Sequence, residues 1–95
     1  MKKITISLVE RYCSITKEAL EKVKINTYDK NSIKMAEELL KLSRCYFEDS
    51  EYFLKKGDLV DAFAAINYAH AFLDCGALLK LFDVSDNRLF MVDKE

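Results

Sequence analysis

Apolar residues return at three- and four-residue steps along nearly the whole chain, the signature of amphipathic helices rather than strands. In the first such segment Val9, Tyr12, Cys13, Thr16, Ala19, Leu20 and Val23 share one face, and Glu10, Arg11, Lys17, Glu18, Glu21 and Lys22 fall largely on the other. Ser7-Leu8-Val9-Glu10 reads as a capping box, and Glu18 and Lys22 stand at a favourable i,i+4 spacing. This predicts a helix over about 5–25. Asn26-Thr27-Tyr28-Asp29-Lys30-Asn31 then interrupts the period with turn-forming residues.

A second helix is predicted over 32–56, capped by Asn31 or Ser32. Two adjacent stripes run along it: Ala36, Leu40, Phe47 and Leu54, beside Met35, Leu39, Leu42, Tyr46 and Phe53. Glu37–Lys41, Arg44–Glu48 and Glu51–Lys55 mark the outward face. Gly57 suits a left-handed helix end, and Asp58 is placed to cap the next helix, so the two helices must run antiparallel.

The third helix, predicted over 58–81, is apolar around most of its circumference, from Leu59, Val60 and Phe63 through Ile66 and Phe72 to Leu73, Leu78 and Leu79. Such a helix needs cover on more than one side. The remaining 82–95 carries Leu81-Phe82-Asp83-Val84 and Leu89-Phe90-Met91-Val92 around Ser85-Asp86-Asn87, a pattern for a short β-hairpin or an extended wrap against the bundle. The expected architecture is all-α: one helical domain over 1–95, an up-and-down three-helix bundle about 30–35 Å long, with a short extended or hairpin-like C-terminal tail.

Composition narrows the function classes. The 95 residues include no proline, no tryptophan and only two glycines, which permits long uninterrupted helices. Abundant lysine and glutamate without glutamine lean towards a heat-adapted host. Fifteen basic against sixteen acidic residues argue against non-specific binding of nucleic acid or anionic membrane. No apolar run approaches a membrane span, and Met1-Lys2-Lys3 is not followed by a leader's apolar stretch. Cys13, Cys45 and Cys75 form no CxxC and cannot all pair, so a reduced, cytoplasmic protein is expected.

Polar residues interrupt the apolar faces at two places. Asp49 lies on the stripe of Met35, Leu39, Leu42, Tyr46 and Phe53, and Asn67, His70 and Asp74 form a stripe on the third helix. A fold at Gly57 brings Asp49 level with residues near 65, one turn from Asn67 and Tyr68. Tyr46, Asp49, Asn67, Tyr68, His70 and Asp74 are therefore the candidate ligand-binding residues. The plainer alternative is a hydrogen-bond network that fixes helix register, or a solvated stripe. Level-matching also puts Cys13, Cys45 and His70 in about one layer, with Asp74 a turn away, the raw material of a zinc site. Cysteine is equally an ordinary small core residue, and neither a metal nor a cofactor is expected. Lys22, Lys24, Lys30, Lys34 and Lys80 gather at one end, where opposing the helix dipoles accounts for them better than anion binding does. No nucleophile–base set and no glycine-rich phosphate loop is present.

The run from Arg44-Cys45-Tyr46-Phe47-Glu48-Asp49 through Gly57-Asp58, followed by Ala62-Phe63-Ala64-Ala65-Ile66-Asn67-Tyr68-Ala69-His70-Ala71-Phe72-Leu73-Asp74-Cys75-Gly76, resembles the short archaeal proteins known as domain of unknown function 357. Ala71 stands where that pattern has glycine, and Cys75 where it has alanine. The resemblance implies a three-helix bundle and no established activity. Three expectations about function follow. A non-enzymatic module that self-associates or docks on a protein through the third helix and the tail comes first. A nucleotide or cofactor site around Asp49, His70 and Asp74 is the alternative. Nucleic-acid and membrane partners are not expected.

Overall fold

The computed structural model describes residues 3–83. They form three helices, α1 (Ile6–Lys22), α2 (Lys30–Lys56) and α3 (Leu59–Leu78), and two short strands, β1 (Lys24–Ile25) and β2 (Phe82–Asp83). The three-helix bundle is as expected, but its helix ends are set by different residues from those the sequence suggests.

Thr5, not Ser7, caps α1: its side chain accepts from the Leu8 amide at 3.2 Å. Asp29, not Asn31 or Ser32, caps α2, its carboxylate accepting from the Ser32 amide at 3.0 Å and the Ser32 hydroxyl at 3.2 Å. Asp58 occupies the N-cap position of α3 without a side-chain capping bond. A cap requires backbone geometry as well as residue type, and several Ser, Asn and Asp residues compete at each boundary. Gly57 does end α2 in the left-handed conformation, at φ 79°. The Asp58 amide donates to the Phe53 carbonyl and the Gly57 amide to the Leu54 carbonyl, a Schellman motif. The same pattern closes α3 three residues earlier than expected, with Leu81 donating to Gly76 and Lys80 to Ala77. Lys80 there adopts a left-handed φ of 60°.

α1 also stops early, after Lys22, because Lys24 and Ile25 extend to pair antiparallel with Asp83 and Phe82. The extended segment after α3 thus begins as expected, but its partner is the α1–α2 connection. The Leu89–Val92 half of the expected hairpin lies outside the described residues. Phe82 is buried with the edge of its ring against Gly76, where a Cβ would clash with it.

α2 and α3 pack most extensively. Small residues line much of their seam: Ala36, Ser43 and Ser50 of α2 and Ala62, Ala65 and Ala69 of α3 are buried, with Leu40 and Leu73 beside them. The Ser43 hydroxyl donates to the Ala69 carbonyl at 2.7 Å and the Ser50 hydroxyl to the Ala62 carbonyl at 2.8 Å, two matched clamps one heptad apart. The apolar stripe expected through Met35, Leu42 and Asp49 is displaced by one position, leaving all three exposed. Two hydroxyls that bond backbone carbonyls occupy the seam in their place, so the neighbouring apolar side chains are turned outward. Among the described residues no buried side-chain nitrogen or oxygen lacks a hydrogen-bond partner.

Candidate functional site

Twenty residues of α3 present three distinct faces. Ala62, Ala65, Ile66, Ala69, Leu73, Gly76 and Ala77 are buried, with Ile66 only 1% exposed and Leu73 fully covered. On the flank facing α1, Phe63 stacks on Tyr12 with ring centroids 5.3 Å apart. On the flank facing α2, Tyr46 stacks on Tyr68 at 5.3 Å and on Phe72 at 5.7 Å. The third face, Val60, Ala64, Asn67, Ala71, Cys75 and Leu78, is exposed to solvent, with Val60 at 69% and Leu78 at 78%.

The six candidate residues are divided among these faces. His70 points towards α1, where its Nδ1 lies 3.1 Å from the buried Thr16 hydroxyl, and its Nε2 lies 3.6 Å from the Asp74 carboxylate. With the proton on Nε2, facing Asp74, Thr16 donates to Nδ1. That arrangement holds the imidazole between two helices. Tyr46 and Tyr68 belong to the aromatic stack on the α2 side. Asn67 lies on the exposed face and reaches the edge of the α1 groove. Asp49 is exposed, one position away from Ser50, the residue that faces α3.

A cleft of about 200 Å³ opens beside His70, lined by Tyr12, Ile15, Thr16, Ile66, Asn67 and His70. Only Asn67 and His70 of the six candidates line it. The contributions of Tyr12, Ile15 and Thr16 were outside the candidate set because they sit on the ordinary apolar face of α1. Thr16 was the available signal, a hydroxyl on that face opposite a histidine. A second groove, just past the C-terminal end of α3, is lined by Lys34, Met35, Glu38, Leu39, Leu79 and Leu81.

The cysteines do not converge with His70. The Cys13 sulfur contacts the Ser50 hydroxyl at 3.4 Å, while Cys45 and Cys75 are exposed. Burial pushes the Cys13 thiol above its ordinary 9.0, assisted by Glu51 and Glu10 and opposed by the Ser50 hydrogen bond. A thiol so disposed stays protonated at neutral pH, unlike a zinc ligand. Among the described residues no group of three or more His, Cys, Asp or Glu is placed to hold a metal ion. No helix among them is long and apolar enough to cross a membrane.

Residues 11–82 match the family model described as "Protein of unknown function (DUF357)". The matched segment ends on Phe82, the aromatic residue that closes over Gly76. No curated protein and no solved structure matches the chain.

Proposed function

The chain belongs to the DUF357 family, whose description assigns no activity, and we propose that it is a non-enzymatic helical interaction module engaging a protein through the outward face of α3. One observation carries this reading: the face of Val60, Ala64, Asn67, Ala71, Cys75 and Leu78 is open to solvent and carries no charged side chain, Asp61 standing beside it at the N-terminal end. A helix on the surface of a bundle ordinarily turns a charged face to water, as α2 does with Glu37, Lys41, Arg44, Glu48, Lys55 and Lys56. An exposed helix face without charge, apolar but for one amide, marks a place where another surface docks. Hydrophobic-dye fluorescence tests it. Wild type is expected to bind the dye. The Val60→Lys/Leu78→Lys pair is expected to lower binding to background while circular dichroism and Tm stay unchanged. Dye binding that ignores both substitutions would overturn the reading.

The His70 cleft supports a second reading, a site for a small, largely apolar ligand with one hydrogen-bonding edge, because Thr16, Asn67 and His70 are its polar groups in an otherwise apolar lining. A panel of small planar apolar compounds, each carrying one amide or hydroxyl, should then raise Tm for wild type and not for His70→Phe. The absence of any shift counts against this reading.

A further inference from the structure

We infer that the partner of the α3 outward face is a second copy of this chain, with the two α3 helices antiparallel across a two-fold axis near Ala69. The inference rests on the reading of that face as an interaction surface and adds the identity and orientation of what covers it.

The argument is one of charge complementarity along a single helix. Asp58 and Asp61 stand exposed at the N-terminal end of α3, and Lys80 stands exposed just past its C-terminal end. Between them, from Ala62 to Leu79, the only acidic side chain is Asp74, which lies on the α1 flank beside His70. The helix is therefore acidic at one end, basic at the other and uncharged on its open face between. Laid parallel against itself, it sets acid against acid and lysine against lysine. Reversed, it sets Asp58 and Asp61 of each copy beside the partner's Lys80, and the two helix dipoles also oppose.

Side-chain sizes fit the same reversal. With Asp58 level with the partner's Lys80, Val60 comes opposite the partner's Leu78, Ala64 opposite the partner's Cys75, and Asn67 opposite the partner's Ala71. Small residues thus meet near the middle, where helix axes about 8–10 Å apart leave little room, and larger ones close the ends. The net charge of −1 puts no strong self-repulsion in the way. A seam one helix wide falls at the small end of specific interfaces, so the association should be reversible. Because Ile66 and Leu73 are already covered within one chain, each copy stays folded when the pair dissociates.

Sedimentation equilibrium from about 10 µM to about 1 mM is the test, a range that brackets the affinity expected of so small an interface. A monomer–dimer equilibrium is expected. Ala71→Glu, which places two carboxylates beside the axis, should weaken it by about tenfold or more without loss of helicity. Lys80→Asp alone and Asp58→Lys/Asp61→Lys alone should each be monomeric, and an equimolar mixture of the two should dimerise. Under mild oxidation in a Cys45→Ser background, Ala64→Cys should give a dimer cross-linked to the partner's Cys75. A dimer indifferent to Ala71→Glu and to both charge reversals overturns the inference. So does a wild-type monomer at every concentration. In that case, dye binding that still depends on Val60 and Leu78 leaves the interaction-surface reading standing, and its absence removes both.

Discussion

Ser43 and Ser50 show how much of this fold is decided by single side chains. Each hydroxyl donates to a carbonyl of α3 that already belongs to the helix ladder, so the bond sets the register of α2 on α3 without leaving a buried donor unmatched. Hydropathy alone does not mark them as seam residues, and their neighbours Leu42 and Asp49 are misplaced in consequence. Gly57 was recoverable because a left-handed helix end has one strong residue preference. Gly76 was not, since its reason is the Phe82 ring and the two are brought together by a turn that Lys80 makes in a glycine-like conformation. Gly76→Ala is expected to expel that ring and to cost about 1–3 kcal/mol in denaturant unfolding. Cys13 gives a prediction about pH. Its folded pKa lies above the unfolded one, so its contribution to stability is complete below the unfolded value of about 9 and fades as pH rises through the folded value. Wild type should therefore lose stability above about pH 9 faster than Cys13→Ala does, measured by urea midpoints at successive pH values. Parallel losses would remove the Cys13 assignment.

Among the elements, existence and order followed from periodicity, whereas boundaries did not. A run of apolar positions at helical spacing states which residues share a face, but it does not say which of several capping residues closes the end. Asp29 and Thr5 prevail over Ser32 and Ser7 because each sits in extended backbone at the point where the helix begins, with its side chain accepting from the amide three residues on. Asp29→Ala should lower stability by about 1 kcal/mol, and Ser7→Ala should leave it within about 0.5 kcal/mol, read from thermal melts of the two variants. The opposite ranking would favour the caps suggested by sequence. Position 49 fails for a related reason: a one-residue shift in the seam carries Asp49 to solvent and Ser50 inside. The candidate set is accordingly dispersed, with His70 and Asp74 facing α1, Tyr46 and Tyr68 stacked on the α2 side, and Asp49 and Asn67 exposed.

At the scale of the whole molecule, α3 is the common element of the core. Leu73 joins Ala19 of α1, Ala36 and Leu40 of α2, and Leu81 and Phe82 beyond the helix in one buried cluster. Its apolar sequence correctly indicated cover from more than one side, and α1, α2 and Phe82 supply it. What the sequence could not show is that the cover stops short, since periodicity is uninformative on a helix that is apolar nearly all round. The exposed remainder, Val60 to Leu78, is the basis for the proposed role. Leu73→Ala, deep in the cluster, should cost about 2–5 kcal/mol, a large part of the stability of a chain this size.

The central claim, that α3 is enclosed on two sides and open on the third, is tested most directly by thiol labelling along the helix at dilute protein concentration. Ala64→Cys, Ala65→Cys, Ala69→Cys and Ala71→Cys would each be made in a chain whose native cysteines are replaced by serine or alanine. Positions 64 and 71 should react at close to the rate of an unfolded thiol, and positions 65 and 69 about 100-fold more slowly, limited by opening of the bundle. Equal rates at all four positions, fast or slow, would contradict the arrangement.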